Sequence, residues 1–266
     1  MELERSKELL KSKGYGVAAI SYDSVEILAN FSTRRNITIP LLSDPESKII
    51  KSFGILNDKV PPGALAGIPI PGTFIADESG RIKERYFEED YRERYTVAGI
   101  LKERIDSGVA DLPRLRLNWS ASATQVRGGQ HIMLTLDGTL PPGMHVYAPG
   151  VSQEYRPVKW TMNESTAWKF GQPSFPVAKK LPLAGDPELV PVYEGKFSVT
   201  RELVLGREQD LKPRVSADGD FTVEGAFQFQ ACDDRMCFPP QTIPLKWTFH
   251  LEGHDGQRVP PELRRK

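Results

Sequence analysis

The stretch FQFQACDDRMCFPPQTIPLKWTFHL, residues 227–251, alternates apolar and polar residues at both ends and holds both cysteines of the chain in its middle. Alternation with a period of two places every second side chain on one face of a β-strand. The pattern therefore predicts two neighbouring antiparallel strands, joined by the short connection between Cys232 and Cys237.

The same alternation recurs through the second half of the chain, from about residue 113 to residue 253. About eight strands separated by turns predict an antiparallel sandwich of immunoglobulin-like type. The residues predicted to point inward are Leu115, Leu117, Trp119, Ile132, Leu134, Leu136, Val158, Trp160, Met162, Phe197, Val199, Phe227, Phe229, Ala231, Ile243, Leu245, Trp247, Phe249 and Leu251.

The first half of the chain, residues 1–107, has the mixed pattern of an α/β domain. We expect the order α, β, α, α, β, β, α, with a joint to the second half at residues 107–113 and a mobile tail at residues 254–266. The predicted elements are a helix ending at Gly14, a strand in residues 16–23, a helix capped by Asp23 and ending near Arg35, a helix starting at residues 43–45 with Ile49, Ile50 and Phe53 on one side, a hairpin over residues 72–87, and a helix from Arg94 to Asp106.

Composition excludes several classes of partner. The 266 residues include 35 basic and 35 acidic side chains, so the net charge is zero and no overall field attracts nucleic acid or an anionic membrane. No apolar run reaches the length of about 18 residues that a membrane span needs, and the first residues, MELERSKELLKSKG, lack the apolar centre of a signal peptide. We expect a soluble chain without cofactor, whose partners are other proteins or small molecules.

The two cysteines are separated by four residues at the mouth of the predicted hairpin. Opposed positions of antiparallel strands lie about 4.5–5.5 Å apart at Cα, which a disulfide can bridge. So short a ring stabilises the fold by roughly 2 kcal/mol, which is little for a chain of this length. The spacing of the two cysteines is compatible with a redox-active disulfide and with a purely structural one. Asp233 and Asp234 oppose Arg235 in their effect on a neighbouring thiol, and no histidine, cysteine and carboxylate set predicts a metal site.

Three phrases of the first half, GVAAISYD (16–23), IPLLSDPESKIIKSFGI (39–55) and IPIPGTFIADESGRI (68–82), resemble the redoxin branch of the thioredoxin superfamily, which includes AhpC/TSA and TlpA-like proteins. The resemblance covers residues 1–106 and implies a cis peptide bond at Pro71 facing the active site, although an ordinary loop proline is the alternative. The family's reactive cysteine is missing, as is the strand before it. We expect this half to be catalytically silent, and we favour a fragment of a longer protein over a degenerate domain.

In the second half, FQACDDRMCFPPQ (229–241), PPGMHVYAPG (141–150) and PVYEGKFSV (191–199) resemble the N-terminal periplasmic domain of the thiol:disulfide interchange protein DsbD family over residues 113–252. The resemblance implies an immunoglobulin-like sandwich with a redox-active cysteine pair. It also implies a periplasmic or otherwise extracytoplasmic location, thioredoxin-like partner proteins and a membrane-embedded electron donor.

The same resemblance implies roles for individual residues. Cys232 and Cys237 match the redox pair, with Cys237 favoured as the thiol that meets downstream partners. Tyr193 matches an aromatic cap that shields the disulfide, and Tyr147 matches an aromatic near the active site. His145 stands where the pattern usually has another ring. Phe238 and the two prolines after it are expected to shield the pair, while Pro191 and Val192 replace the carboxylates that the family places before the cap.

The sequence thus supports one leading function and two alternatives. The leading one is an extracytoplasmic thiol-disulfide oxidoreductase that exchanges electrons with thioredoxin-like proteins through Cys232 and Cys237. The alternatives are a fragment of a peroxiredoxin-like antioxidant protein, and a non-catalytic β-sandwich that is held by a structural disulfide.

Overall fold

The computed structural model describes residues 2–61, 63, 66–87, 94–152, 154–182, 189–253 and 259–263. The chain divides into two compact units, one made of Met1–Val97 with Asp255–Lys266 and the other of Ala98–His254. The division falls at Val97, about ten residues before the joint that the sequence predicted at residues 107–113. No helix in the described part of the chain is long and apolar enough to cross a membrane.

The first unit combines short helices with two small sheets. Strands β1 and β2 pair in parallel, and β3 and β4 form the predicted hairpin. The elements are α1 (Glu2–Arg5), α2 (Lys7–Ser12), β1 (Ala19–Ser21), α3 (Val25–Arg35), β2 (Leu41–Ser43), α4 (Lys48–Ser52), β3 (Gly72–Ala76), β4 (Ile82–Phe87) and β5 (Arg94–Tyr95), followed by α5 (Val97–Ile100) at the boundary.

Two helix starts in this unit differ from the prediction. Helix α3 is capped by Ser24, whose Oγ accepts a hydrogen bond from the backbone N–H of Ile27, and not by Asp23. Helix α4 begins at Lys48 because residues 41–43 form a strand, which the sequence patterns did not reveal. The buried carboxylate of Asp44 then accepts the backbone N–H groups of Lys48 and Ile50, each at 2.9 Å. Ile50 is buried as predicted, whereas Ile49 and Phe53 are exposed.

The helix predicted from Arg94 to Asp106 is wrong. Only residues 97–100 are helical, and the chain turns at Lys102, whose φ is +56°. From Ile105 onward the chain is a strand that pairs with the next one, which is why this segment belongs to the second unit. Gly108 is required in that strand, since a Cβ there would lie 2.2 Å from the Trp119 ring.

The second unit is built almost entirely of strands. They are β6 (Ile105–Leu112), β7 (Leu115–Ala121), β8 (Gln125–Val126), β9 (Gln130–Thr139), β10 (His145–Tyr147), β11 (Lys159–Met162), β12 (Trp168–Phe170), β13 (Lys179–Pro182), β14 (Leu189–Glu194), β15 (Lys196–Leu205), β16 (Asp220–Phe229), β17 (Ala231–Cys232) and β18 (Gln241–Leu251), with a short helix α6 (Glu208–Leu211). About eight strands were predicted, because strands of two to four residues are too short to show a period.

These strands form three sheets. Their orders are β12-β15-β9-β7-β6, β11-β16-β18-β8 and β13-β14-β10-β17. Every pairing within them is antiparallel except that of β8 with β18. The predicted antiparallel β class is therefore confirmed, and the finer immunoglobulin-like type stays a prediction.

One large hydrophobic core lies inside the second unit. The residues predicted to point inward are buried in it, apart from Trp119, Met162 and Leu251, which pack against it half-buried. Trp247 is fully buried, and its Nε1–H donates a hydrogen bond of 3.1 Å to the backbone oxygen of Ser120. A smaller, separate cluster contains Tyr147, Val190, Val192 and Cys232. The sheet β13-β14-β10-β17 carries that second cluster, and with it the cysteine pair.

Candidate active site

Cys232 and Cys237 form a disulfide in the structure, with an S–S distance of 2.03 Å and a Cα–Cα distance of 4.0 Å. Cys232 ends strand β17, which pairs with β10, and Cys237 faces it across an isolated antiparallel bridge. The predicted hairpin mouth is therefore present. Both sulfurs lie at the edge of the sheet, where the chain leaves the core.

The two cysteines differ sharply in exposure. Cys232 is 1% exposed and belongs to the small hydrophobic cluster, whereas Cys237 lies on the surface. Thiol-disulfide exchange requires that an incoming thiolate reach one sulfur. Access is available at Cys237 and not at Cys232, so the pair has an outer sulfur and an inner one.

Tyr147 lies against both sulfurs. Its hydroxyl oxygen is 3.3 Å from Cys237 Sγ and 3.6 Å from Cys232 Sγ. Sulfurs in a disulfide carry no hydrogen, so the hydroxyl is the only possible donor. Burial raises the pKa of Tyr147 above its usual value, which keeps the hydroxyl protonated at neutral pH. The arrangement places a donor where negative charge develops on sulfur when the S–S bond breaks. Tyr147 therefore lies next to the cysteine pair, and its role there stays a prediction.

His145 is the direct partner of Cys232 in the ladder between β10 and β17, and of Glu194 in the ladder between β10 and β14. It is 4% exposed, and its ring lies edge-on to Tyr147 with centroids 5.5 Å apart. Burial lowers the pKa of His145, outweighing the carboxylates of Glu194, Asp234 and Asp233 that raise it. The imidazole is therefore neutral at pH 7. The predicted neighbourhood of His145 and the cysteine pair is present.

The connection between the cysteines is held by Asp233. Its Oδ1 accepts the backbone N–H groups of Arg235 and Met236, each at 2.8 Å, and its own N–H donates to the Met236 oxygen at 3.0 Å. Those backbone bonds lower the pKa of the Asp233 carboxyl. Met236 is 58% exposed directly before the outer cysteine, while the charged and exposed Asp234 and Arg235 form the tip of the turn. The loop is thus rigid at its base and carries an apolar side chain beside the outer sulfur.

Phe238 follows the outer cysteine and is half-buried. Its backbone N–H donates to the Ala231 oxygen at 2.9 Å, and the Arg114 guanidinium lies over its ring, 3.6 Å from the centroid. A cation so close to an aromatic face is attracted by the ring quadrupole. Arg114 therefore holds the chain just after Cys237. Phe238 was predicted at the site from the sequence, whereas Arg114, which lies in the turn between β6 and β7, was not.

Tyr155 is a second aromatic residue that covers the site, and it was not predicted from the sequence. The ring of Tyr155 lies 4.5 Å from that of Tyr147 between centroids, and it packs against the small cluster. Tyr155 precedes β11 in an irregular segment that shows no period. The only available signal was an aromatic residue close in sequence to HVYAP, which is weak.

Tyr193 does not reach the cysteine pair, so its predicted role as a cap is wrong. It lies in strand β14 opposite Val146, and neighbouring strand positions alternate between faces. Its ring stacks on Phe197 in the large core at 5.3 Å, and its hydroxyl donates to the Pro176 oxygen. Tyr193 is a core residue on the face opposite to Cys232.

The cis peptide bond predicted at Pro71 is also absent. Among the residues that the structure describes, every peptide bond is trans. The segment before Pro71 is extended, since the Ile70 N–H donates to the Ile55 oxygen at 2.7 Å and Pro69 bridges Leu56. The trans form is also the one of lower free energy for an X–Pro bond, by about 0.5–1 kcal/mol. Pro71 lies in the first unit and is an ordinary loop proline there.

The charge state of His145 predicts how stability depends on pH. The pKa of His145 is lower in the folded protein than its usual value of about 6.5, so the unfolded chain binds the proton first as pH falls. The buried neutral form of His145 therefore makes its full contribution to the free energy of unfolding above about pH 6.5, and this contribution is lost as the pH falls below that value.

We expect the free energy of unfolding of His145→Phe to vary less with pH below about 6.5 than that of the wild type. Urea unfolding followed by tryptophan fluorescence measures it, because Trp119, Trp160, Trp168 and Trp247 all lie in the second unit. The offset between wild type and variant should be constant at and above pH 7.5. Parallel curves down to pH 5 would contradict the assignment.

In the first unit, the sequence up to the end of the hairpin matches a known family. Residues 1–85 match the AhpC/TSA family. Two proteins of Mycobacterium tuberculosis that are described as peroxiredoxins, from strains CDC 1551 / Oshkosh and ATCC 25618 / H37Rv, are each 38% identical to the chain over 69 residues. Those residues are 26% of this chain and 44% of each relative. The chain thus spans less than half the length of these relatives. The predicted redoxin resemblance is confirmed for this segment, which contains no cysteine.

Solved structures give more distant likenesses. The N-terminal periplasmic domain of ScsB from Proteus mirabilis aligns over 56% of this chain and 52% of its own, with 13% identity and a TM-score of 0.36. AggA, the major subunit of the type I aggregative adherence fimbriae of Escherichia coli, aligns over 55% of this chain and 99% of its own, with 10% identity and a TM-score of 0.29. The assignment of the site rests on its own geometry.

Proposed function

We propose that the second unit is a thiol-disulfide oxidoreductase module that cycles Cys232 and Cys237 between disulfide and dithiol. The main support is the unequal exposure of the two cysteines, since Cys237 lies on the surface and Cys232 is buried under Tyr147. A purely structural staple needs no sulfur open to solvent. An exchange centre needs one open sulfur and one protected sulfur.

The chemistry follows from that asymmetry. A partner thiolate attacks Cys237 Sγ, the S–S bond breaks, and Cys232 leaves with the electron pair while the Tyr147 hydroxyl donates a hydrogen bond to it. A second thiolate of the partner then attacks the mixed disulfide and frees Cys237. The partner is oxidised by two electrons, and the cysteine pair is reduced by two. The reverse sequence passes the electrons to another disulfide.

Thioredoxin-like proteins are the partners that we propose. The loop suits docking of another protein, since Asp233 holds it rigid and the exposed apolar Met236 directly precedes the exposed Cys237. A membrane-embedded electron-transfer protein is proposed as the donor, and an extracytoplasmic compartment as the location, because disulfides persist there. Both follow the DsbD-like pattern of the cysteine loop.

A peroxiredoxin-like function is the second candidate, and the AhpC/TSA match of residues 1–85 favours it. The segment that matches has no thiol, so a peroxidase cysteine would have to come from another chain or from residues outside 1–266. In that case Cys232 and Cys237 would donate the electrons. Faster electron transfer from the reduced pair to a peroxide-oxidised peroxiredoxin than to an oxidised thioredoxin would favour this candidate.

The reduction potential of the pair tests the proposed function. We expect a value between about −200 and −270 mV, within reach of thioredoxin-like partners, because the outer sulfur is accessible. Equilibration of the native protein with glutathione or dithiothreitol, followed by alkylation and mass spectrometry, gives this value. A chain with both cysteines replaced by serine supplies the blank. A potential below about −300 mV would instead identify a structural disulfide.

A further inference from the structure

His145 carries a buried ring nitrogen that has no hydrogen-bond partner. The imidazole is 4% exposed, and its Nε2 is unpaired among the residues that the structure describes. Buried polar atoms are nearly always hydrogen-bonded, so an unpaired one in a folded protein requires an explanation. A group that must gain and lose a proton during a reaction provides one.

The imidazole ring of His145 lies beside the inner sulfur, which belongs to Cys232. His145 and Cys232 are direct partners across the β10–β17 ladder, so their side chains project from the same face of the sheet with Cβ atoms about 4.5–5.5 Å apart. Two residues further along β10, on the same face, Tyr147 touches both sulfurs. Histidine, tyrosine and the inner cysteine therefore share one buried space.

We propose that His145 is the proton acceptor for the Cys232 thiol when the disulfide re-forms. The inference rests on the proposed function and adds a step to it. In the mixed disulfide, Cys237 is joined to a partner and Cys232 is a thiol. His145 takes the proton of Cys232, the Cys232 thiolate attacks Cys237 Sγ, and the partner leaves as a thiolate that takes up a proton. The imidazolium then passes its proton to water, so the ring is neutral again beside the disulfide, and during reduction Cys232 takes up a proton from water through the same ring.

The charges around His145 suit this exchange. Glu194 faces it from β14, and Asp233 and Asp234 face it from the cysteine loop, so three carboxylates stabilise the imidazolium. Lys179 offsets part of this effect through its 3.3 Å ion pair with Glu194. Burial dominates and lowers the pKa of His145, which leaves the resting ring neutral and able to accept a proton at pH 7.

The other groups near Cys232 are poorer bases. Burial raises the pKa of Tyr147, so its hydroxyl serves as a donor. Asp233 is occupied by two backbone N–H groups, which lower its pKa. Pro191 and Val192 supply no carboxylate. Of the described groups that face the inner sulfur, His145 is the one with a buried nitrogen that has no hydrogen-bond partner among the described residues.

A single-turnover experiment on the full chain isolates the step. Reduced protein is mixed with oxidised glutathione, which joins glutathione to Cys237, and the first-order loss of this adduct is followed by acid quench and mass spectrometry. We expect His145→Phe and His145→Gln to slow adduct loss about a hundredfold at pH 7, as for removal of a general base. The wild-type rate should stay nearly constant from about pH 8 to 7 and fall only at lower pH, where the imidazole is protonated, whereas the rate of both variants should fall steadily from about pH 8.5 downward because it follows the thiolate fraction of Cys232. His250→Gln, which removes an exposed histidine paired with Asp220, should match the wild type.

The outcomes separate the two proposals. Adduct loss in both His145 variants within about threefold of the wild-type rate, with the same pH profile, would overturn the role of His145. An adduct that forms on the wild type but never resolves would also overturn it, while leaving exchange at Cys237 intact. If no adduct forms on the wild type, the proposed function itself fails. His145→Gln keeps a polar side chain of similar size, which guards against loss of folding in His145→Phe.

Discussion

Replacing Cys232 by serine is expected to leave Cys237 able to capture a partner thiol, whereas Cys237→Ser is expected to capture almost none. The reason is access, because Cys237 lies on the surface and Cys232 is 1% exposed. In Cys232→Ser the inner thiol is absent, so a mixed disulfide on Cys237 cannot resolve and accumulates. We expect at least a tenfold difference in coupling rate between the two variants, as for an open thiol against a buried one.

The measurement uses a thioredoxin whose resolving cysteine is replaced by serine and whose reactive cysteine is activated with thionitrobenzoate. Coupling releases the coloured leaving group, and the joined chains are seen on a non-reducing gel. The variant with both cysteines replaced is the matched control. Equal coupling rates, or faster coupling through Cys232, would contradict the assignment of the outer and inner sulfurs.

Trp247→Ala is expected to cost the second unit about 3–5 kcal/mol of unfolding free energy. The side chain is fully buried in the large core, stacks near Trp160 with centroids 6.0 Å apart, and donates a hydrogen bond to the Ser120 oxygen. Its removal leaves a cavity and takes away the hydrogen bond to the Ser120 carbonyl. Urea unfolding of the oxidised protein, followed by the fluorescence of the three remaining tryptophans, reports this unit alone.

Thr248→Ala supplies the control for that measurement. Thr248 is the neighbour of Trp247 in β18 and faces solvent, so its replacement should cost less than about 1 kcal/mol. A Trp247→Ala variant as stable as Thr248→Ala would mean that the core is not organised around this strand. The Cys237 coupling rate should change little in either variant that remains folded.

The β class and the core could be predicted because long strands repeat an apolar residue at every second position. In β18, five apolar residues alternate with polar ones over the whole strand, and Ile243, Leu245, Trp247 and Phe249 are buried as expected. Short strands such as Gln125–Val126 contain too few residues for a period. The segment from Ile105 to Leu112 was misread as the end of a helix followed by a joint, because its charged and small residues are compatible with both, while its true partner lies across a turn.

In the site, too, the features that depend on nearby residues could be predicted, and those that depend on distant residues could not. The cysteine pair could be predicted from its spacing, because both residues belong to one hairpin. Tyr193 was misplaced because a residue's face depends on the register of its strand, and one position separates the disulfide side from the core side. Arg114 lies more than a hundred residues before the ring that it covers, so no local pattern connects them.

The hydrogen bonds on either side of the disulfide have an energetic consequence. Asp233 donates to the Met236 oxygen inside the loop, and Phe238 donates to the Ala231 oxygen just outside it, so neither bond depends on the S–S link. The reduced hairpin should keep its shape, with both sulfurs held at high effective concentration for each other. Closing the ring then orders little additional chain, which favours the oxidised form. Once loaded with electrons, the pair is expected to give them up readily, as a donor within a relay does.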